Sequence, residues 1–292
     1  MDEATLDVLT TVFGVLSFVM GAMVGSFLNV CVHRIPLGLS VVKPRSRCPK
    51  CETPIAAYDN IPVLSWLILG AKCRTCGNPI SWQYPLVEAI TGTLFFLVFV
   101  KFGLTVASPI YMLLMAGLVL VTFVDLTDWT IPNEVTFPGM PLGIACAVLA
   151  MVYPESGLVY DQPIWALVGL FIGGGALYAL DMISLVLFKK RGMGFGDVKL
   201  MAMLGAFFGP VAVALIMVIA SFFGSAIGIS MIVLGRSKAS AEEDPNEEDA
   251  MTPGGHYLPF GPYIVLGGIV YLFFGPQIVE LYLEYITLPG AI

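Results

Sequence analysis

The sequence predicts an all-α polytopic membrane protein with about eight transmembrane helices and a small cytoplasmic zinc-binding insert, held by four cysteines, between helices 1 and 2. Three observations support this fold class. Of the 292 residues, 58% are hydrophobic and only 12% are charged, whereas a soluble domain carries about 25% charged residues. The apolar residues form segments that approach the roughly 20 residues needed to span a bilayer. Between the first two segments lies a polar block that contains four of the six cysteines.

The apolar segments justify the number of helices. They cover residues 8–32, 85–103, 108–125, 134–153, 163–188, 198–209, 211–235 and 260–284. The sixth is short and interrupted by glycines. The first has an acidic flank and no cleavage-site pattern, so we expect a retained helix rather than a removable signal peptide. Glycines four residues apart predict close helix packing in three spans: Gly21 with Gly25, Gly169 with Gly173, and Gly224 with Gly228.

The polar block covers residues 33–84 and determines the predicted orientation. Lysine and arginine concentrate on the cytoplasmic side of membrane proteins, which places this block in the cytoplasm and, by alternation of the spans, the N-terminus outside. The chain then divides into a first helix (1–32), the block (33–84) and a seven-helix core (85–292) with an acidic cytoplasmic loop at 236–259. Half of the fourteen basic residues lie in the block: Arg34, Lys43, Arg45, Arg47, Lys50, Lys72 and Arg74.

The four cysteines of the block form two CxxC pairs, Cys48 with Cys51 and Cys73 with Cys76, separated by 21 residues. Four thiolates at this spacing predict a tetrahedral structural zinc site. Iron is the alternative metal, and disulfides are disfavoured in a reducing cytoplasm. A closed site of four thiolates has no open position for chemistry, so we expect it to fold the block rather than to catalyse.

Two aspartates fall at the same predicted depth on the cytoplasmic side. Asp125 ends one apolar run, and Asp197 lies in the stretch Gly192-Met193-Gly194-Phe195-Gly196-Asp197-Val198-Lys199. Ionisable residues at membrane depth are costly and mark functional sites. Two close carboxylates can share a proton and hydrolyse a peptide bond, one as general base and one as acid. Alternatively, each caps a helix or pairs with a lysine, Asp197 with Lys199 for example.

Other acidic residues have open roles at this stage. Asp128 competes with Asp125 because it lies one turn further along, and Asp181 is either a structural hydrogen-bond partner or a residue that tunes the pair. Glu88, near the inner end of the second span, is a partner for a basic residue in the simplest interpretation. The acids within 242–249 form either a solvated loop or an electrostatic lure for a basic substrate segment.

Several motifs, taken in order, resemble one family, the type IV prepilin peptidases, which are membrane aspartic proteases of the GxGD kind. Asp125 stands six positions before Ile131-Pro132-Asn133, as the first catalytic aspartate does in that family. The other matching stretches are Gly25–Val30 with Arg34 and Pro36, the CxxC pairs around Asn60–Trp66, Pro79–Trp82, Tyr84–Glu88, Gly194–Lys199 and Pro259–Pro262. A departure is Arg191, where many relatives carry a glutamate.

The resemblance implies that Asp125, rather than Asp128, and Asp197 are the catalytic pair. Such enzymes remove the basic leader from prepilins or pseudopilins at the cytoplasmic face of the bacterial inner membrane. Members with the cysteine block usually also methylate the new N-terminal residue with S-adenosylmethionine. The donor is then expected where residues 33–84 meet the membrane, with Glu88 as a candidate ligand. The expected partners are the substrate helix and the lipid bilayer, and no nucleic acid.

Three other functions remain open from the sequence. The first is a peptidase without methylation. The second is a non-enzymatic scaffold of a pilus or secretion system, in which the zinc module docks another component and the aspartates cap helices. The third is a transporter that uses the aspartates as proton relays, for which the acids should lie nearer the bilayer midplane.

Overall fold

The computed structural model describes residues 3–189, 193–233 and 259–287, and these residues are almost entirely helical. The acids of the predicted loop at 242–249 and Arg191 lie outside the described residues. In chain order the α-helices are α1 (Glu3–Arg34), α2 (Leu64–Ile68), α3 (Gln83–Phe102), α4 (Ala107–Asp128), α5 (Asn133–Val152), α6 (Pro163–Phe188), α7 (Phe195–Val233) and α8 (Gly261–Thr287).

Seven of the described helices, all except α2, are long and apolar enough to cross a membrane. Large apolar side chains such as Phe171, Val186 and Phe222 project outward from the bundle. A helix that is apolar on every side is stable only when protein or lipid covers it. The chain is therefore a multi-pass membrane protein, which confirms the predicted class.

The longest helix, α7, consists of two arms that join at Gly209. There φ is +79° and ψ is −179°, and Pro210 follows. Ideal Cβ atoms placed on neighbouring glycines of α8 would touch Ile216 of the second arm and Leu204 of the first. Leu204 and Ile216 are twelve positions apart, yet they contact the adjacent residues Gly268 and Gly267 of α8. This is possible only if the chain reverses its direction between the two arms. The predicted segments 198–209 and 211–235 thus correspond to the two arms of α7, the second of which is described as far as Val233. Together with the other six spans they give the eight predicted helices.

Close packing at glycines joins neighbouring helices. A Cβ on Gly25 of α1 would lie 2.7 Å from the Glu88 Cα of α3, and one on Gly173 of α6 would lie 2.6 Å from the Met201 carbonyl oxygen of α7. These distances leave no room for a side chain. The prediction of tight contact is wrong for Gly228, where a Cβ would meet nothing within 4 Å, because that side of α7 faces away from the other described helices.

Candidate active site and cysteine cluster

The two aspartates predicted to pair lie at the same end of the bundle. Asp125 is on the last turn of α4 and Asp197 is the third residue of α7. Both are buried, with 6% and 8% of their surface exposed, and they are close enough to interact electrostatically. Among the described residues, Asp125 Oδ2 and Asp197 Oδ1 are buried without a hydrogen-bond partner. Buried carboxylate oxygens left without a partner are costly, so this arrangement is suited to receive a ligand.

Glycine main chain forms the walls beside both carboxylates. A Cβ on Gly261, the first residue of α8, would lie only 2.5 Å from Asp125 Oδ2, and one on Gly194 would lie 3.6 Å from Asp197 Oδ2. The sequence motif included Gly261 but gave no reason to place it against Asp125. A glycine at the start of an apolar span was the only available signal.

The segment after α4 connects the two aspartates. A Cβ on Gly196 would lie 2.9 Å from the Ile131 Cβ, so the first turn of α7 packs directly on Ile131. Lys199 Nζ donates to Asn133 Oδ1 and lies over the rings of Phe137 and Phe195. The alternative in which Lys199 neutralises Asp197 is therefore not supported, because the lysine bonds to α5 instead.

The other two acids near this end differ from the pair. Asp128 is exposed and accepts a hydrogen bond from the Thr127 hydroxyl at 2.8 Å. Its exposure favours Asp125 as the partner of Asp197. Asp181 of α6 is buried, and its Oδ1 accepts a hydrogen bond from the Met193 backbone N–H at 3.2 Å.

The four predicted cysteines come together in one cluster. The Sγ atoms of Cys48, Cys51, Cys73 and Cys76 all lie within 4.8 Å of one another, and none of the four is in a disulfide. Cys48 Sγ is 3.8 Å from Cys76 Sγ. A tetrahedral zinc with Zn–S bonds of about 2.3 Å separates its sulfur ligands by about 3.8 Å. The cluster therefore fits a tetrahedral metal ion.

Each CxxC pair lies in a tight turn of the same construction. Cys48 N–H donates to the Thr53 carbonyl at 3.0 Å, and Cys73 N–H donates to the Asn78 carbonyl at 2.8 Å. The residue four positions after the first cysteine of each pair has a positive φ, +55° at Glu52 and +67° at Gly77. This shared turn brings both sulfurs of each pair to the same side.

Hydrogen bonds in the cluster also change the acidity of the thiols. Hydrogen bonds with Thr53 lower the pKa of Cys51 to about 6, and those from the backbone of Cys76 and Thr75 lower the pKa of Cys73. The backbone hydrogen bond from Asn78 lowers the pKa of Cys76, but desolvation and the neighbouring sulfurs outweigh it and raise this pKa to about 11. Metal ligation requires thiolates.

Glu88 lies where the cysteine block meets the membrane helices. Its Oε2 accepts the Val63 backbone N–H at 2.7 Å, and it also interacts with the Ser26 side chain of α1. Val63 has φ +61°, which is rare for a β-branched residue. The buried carboxylate has no ion-pair partner within the described residues. The simplest interpretation, pairing with a nearby basic residue, is therefore not supported.

Comparisons with known proteins cover most of the chain. Residues 19–102 match the bacterial peptidase A24 N-terminal domain, and residues 112–229 match the type IV leader peptidase family. The first match includes Glu88 and all four clustered cysteines, and the second includes both aspartates of the pair. No solved structure matches the chain.

Curated relatives named prepilin leader peptidase/N-methyltransferase are similar along nearly the whole length. The Myxococcus xanthus protein is 36% identical over 90% of this chain and 91% of its own. The Aeromonas salmonicida protein is 32% identical over 93% and 94%, and the Neisseria gonorrhoeae protein is 34% identical over 78% and 85%. Together with the paired aspartates and the cysteine cluster, these matches show that the chain belongs to the type IV leader peptidase family.

Proposed function

We propose that the chain is a membrane aspartic endopeptidase that removes the basic leader of type IV prepilins or pseudopilins and then methylates the new N-terminal residue. The observation that supports cleavage best is the buried pair Asp125 and Asp197, each with one unpartnered oxygen. The names of the relatives, prepilin leader peptidase/N-methyltransferase, support both activities.

In the proposed cleavage the two carboxylates hold one proton between them. The ionised carboxylate removes a proton from a water molecule, whose oxygen attacks the scissile carbonyl carbon. The protonated carboxyl group donates a hydrogen bond to the carbonyl oxygen and stabilises its developing charge. Proton transfer to the amide nitrogen then breaks the C–N bond, which leaves a leader carboxylate and a free pilin amine.

The proposed methylation uses that amine. S-adenosylmethionine, when bound, would supply the methyl group. Glu88 is our candidate for the ligand of a cationic group, because its carboxylate is buried and its hydrogen-bond partners, Val63 N–H and Ser26, are uncharged. The junction of the block with α1 and α3 is where we place the donor.

We further propose that Cys48, Cys51, Cys73 and Cys76 bind one structural Zn²⁺. The Sγ separations fit a tetrahedral ion, and all four thiols are free to ligate it. The insert has only a small apolar core of its own. A bound metal would therefore supply much of its folding free energy. We therefore treat 33–84 as a metal-dependent unit between the first helix (1–32) and the seven-helix core (85–292).

The proposed location is the bacterial inner membrane, with the N-terminus outside and the cysteine block in the cytoplasm. The basic residues of the block support this orientation. Because α3 and α4 are consecutive spans, the start of α3 near the block and the end of α4 at Asp125 lie at the same membrane face. A basic leader retained in the cytoplasm would then present its scissile bond at the depth of the aspartates.

The first experiment is cleavage of a prepilin by the purified protein in nanodiscs, with S-adenosylmethionine present and mass spectrometry of the products. Asp125→Asn and Asp197→Asn should each slow cleavage by about 100-fold or more, because general acid–base catalysis contributes that much. The wild-type product should also gain the mass of one CH₂ group.

Asp128→Asn is the matched control, because Asp128 is an exposed acid one turn from Asp125. It should cleave at close to the wild-type rate. If the folded Asp125 and Asp197 variants still cut the prepilin, the catalytic pair is wrong and the scaffold alternative gains support. Cleavage without the added mass would instead leave a peptidase alone.

A further inference from the structure

Asp181 is a buried acid that the proposed chemistry does not use. It is the only charged residue in α6 (Pro163–Phe188), and only 6% of its surface is exposed. A carboxylate within a membrane span is costly and is normally held by a specific partner. Its position therefore needs an explanation besides packing, since any apolar residue would pack there more favourably.

The hydrogen bond to Met193 continues the contact line between α6 and α7. Gly169 packs against Gly205 and Gly173 packs against Met201. The two helices are therefore antiparallel, and a residue four positions later in α6 contacts a residue four positions earlier in α7. The same register brings Asp181 opposite Met193, whose N–H it accepts at 3.2 Å. Asp181 thus contacts the turn that leads into α7, and it lies about two turns before the end of α6.

This turn requires an internal partner. The first arm of α7, residues 195–208, is about 21 Å long, whereas the bilayer core is about 30 Å thick. An arm this short cannot reach both surfaces of the core. Met193 contacts Asp181, about two turns inside the apolar span α6, and irregular backbone beside a membrane span must be satisfied by protein. Gly194 has no Cβ, so the main chain of this turn has more conformational freedom than another residue would leave it. The Asp197 N–H already donates to the Gly194 carbonyl at 3.1 Å, so movement of Met193 and Gly194 is transmitted directly to Asp197.

We propose that Asp181 is a positioning residue that anchors the turn at Met193 and thereby aims Asp197 at Asp125. The proposal rests on the proposed peptidase function for its catalytic consequence. In this contact the carboxylate acts as a hydrogen-bond acceptor for the Met193 N–H. An asparagine can keep this contact, because its amide oxygen also accepts, whereas a leucine of similar size cannot.

The test compares Asp181→Leu and Asp181→Asn in the full-length protein in nanodiscs. Asp181→Leu should lower kcat for prepilin cleavage by about 10- to 100-fold with little change in KM, because a small misplacement of a catalytic group costs that much. Asp181→Asn should stay within about threefold of wild type, since its side-chain oxygen accepts the same N–H. Asp161→Leu, the same replacement at an exposed acid in the loop before α6, should leave kcat unchanged.

Hydrogen–deuterium exchange of the peptide containing Met193 gives a readout that does not depend on activity. The Met193 amide should exchange about tenfold faster or more in Asp181→Leu than in wild type and Asp181→Asn, because local opening is no longer opposed by the hydrogen bond. Unchanged exchange, unchanged kcat in Asp181→Leu, or an asparagine variant as defective as the leucine variant would overturn the proposal. A wild-type protein that cuts no prepilin would refute the peptidase function, and the exchange result would still decide the anchor.

Discussion

Asp125 and Asp197 are bordered by main chain on the sides that Gly261 and Gly194 occupy. At Gly261 the backbone approaches the carboxylate more closely than a side chain would permit, whereas a Cβ on Gly194 would lie 3.6 Å from Asp197 Oδ2, an ordinary contact distance. Gly261 has no left-handed φ, so alanine can adopt its conformation. Space, and not backbone geometry, is what excludes a larger residue at this position.

We therefore expect Gly261→Ala to impair cleavage with little loss of folding. The new methyl group would lie 2.5 Å from Asp125 Oδ2, so either the carboxylate or the start of α8 must move. Displacement of a catalytic group by about 1 Å costs about 100-fold in rate. Steady-state kinetics with a prepilin substrate should show this loss mainly in kcat.

Gly228→Ala is the control for this substitution, since a Cβ there meets no atom of the described residues within 4 Å. It should leave the kinetics unchanged. A Gly261→Ala protein with wild-type kcat would show that the close contact with Asp125 does not matter for the reaction.

At the scale of elements, the contact between α6 and α7 depends on Gly169 and Gly205. A Cβ on Gly205 would overlap the Gly169 carbonyl oxygen, and it would also lie 3.1 Å from Val213 Cγ2 of the second arm. The site therefore packs three helical segments together. None of them can shift without disturbing the other two.

Gly205→Ala should accordingly destabilise the protein by about 1–3 kcal/mol, the usual cost of adding a methyl group to a filled core. Thermal unfolding in detergent should show a lower Tm than wild type. Gly175→Ala, on α6 in a place where a Cβ meets nothing within 4 Å in the part of the chain that the structure describes, should keep the wild-type Tm. Equal Tm values for both variants would contradict this packing.

Lys101 illustrates a contact between elements that the sequence could not reveal. Pro276 lacks an N–H, so the Leu272 carbonyl of α8 has no donor within its own helix. Lys101 Nζ, at the end of α3, donates to that oxygen at 2.8 Å and to the Phe273 carbonyl at 2.6 Å. The lysine and its acceptor are 171 residues apart, and neither local pattern indicates the other.

At the scale of the whole molecule, the cysteine block and the aspartate pair are separate. The aspartates and the glycines beside them come from α4, the start of α7 and the start of α8. The block is hydrogen-bonded instead to Glu88 of α3 and to Arg34 at the end of α1. Loss of the metal site should therefore affect methylation, which we place at that junction, before it affects cleavage.

The double variant Cys48→Ser with Cys73→Ser tests this separation. We expect it to lose the zinc that we propose the cluster binds, because two of the four thiolate ligands are gone and the remaining site binds metal far more weakly. Methylation should fall by about tenfold or more, since loss of a structural zinc unfolds the block around it. Cleavage should stay within about threefold of wild type, because the two aspartates lie outside the block. Elemental analysis and product mass spectrometry measure both effects, and equal loss of the two activities would contradict the separation.

The sequence identifies the individual spans and motifs, but it does not show which residues of different helices contact each other. Apolar runs give every span, and counting spans predicts that Asp125 and Asp197 share a face. The contact of Gly261 with Asp125 depends on how α8 packs against α4, and the spacing of Gly224 and Gly228 does not show whether a neighbouring helix faces Gly228. The CxxC spacing predicts the cysteine cluster, because a tight turn brings each pair of sulfurs together.

The glycines beside the two aspartates also affect how readily resistance to an inhibitor of this site could arise. A compound seated between the two carboxylates would meet main-chain atoms at Gly194 and Gly261. Resistance usually arises when a substitution changes a side chain that contacts the inhibitor. A glycine has no side chain to change, so every substitution there adds atoms to the site. At Gly261 an added side chain would collide with Asp125 itself, so a resistance substitution at this position would also impair the enzyme.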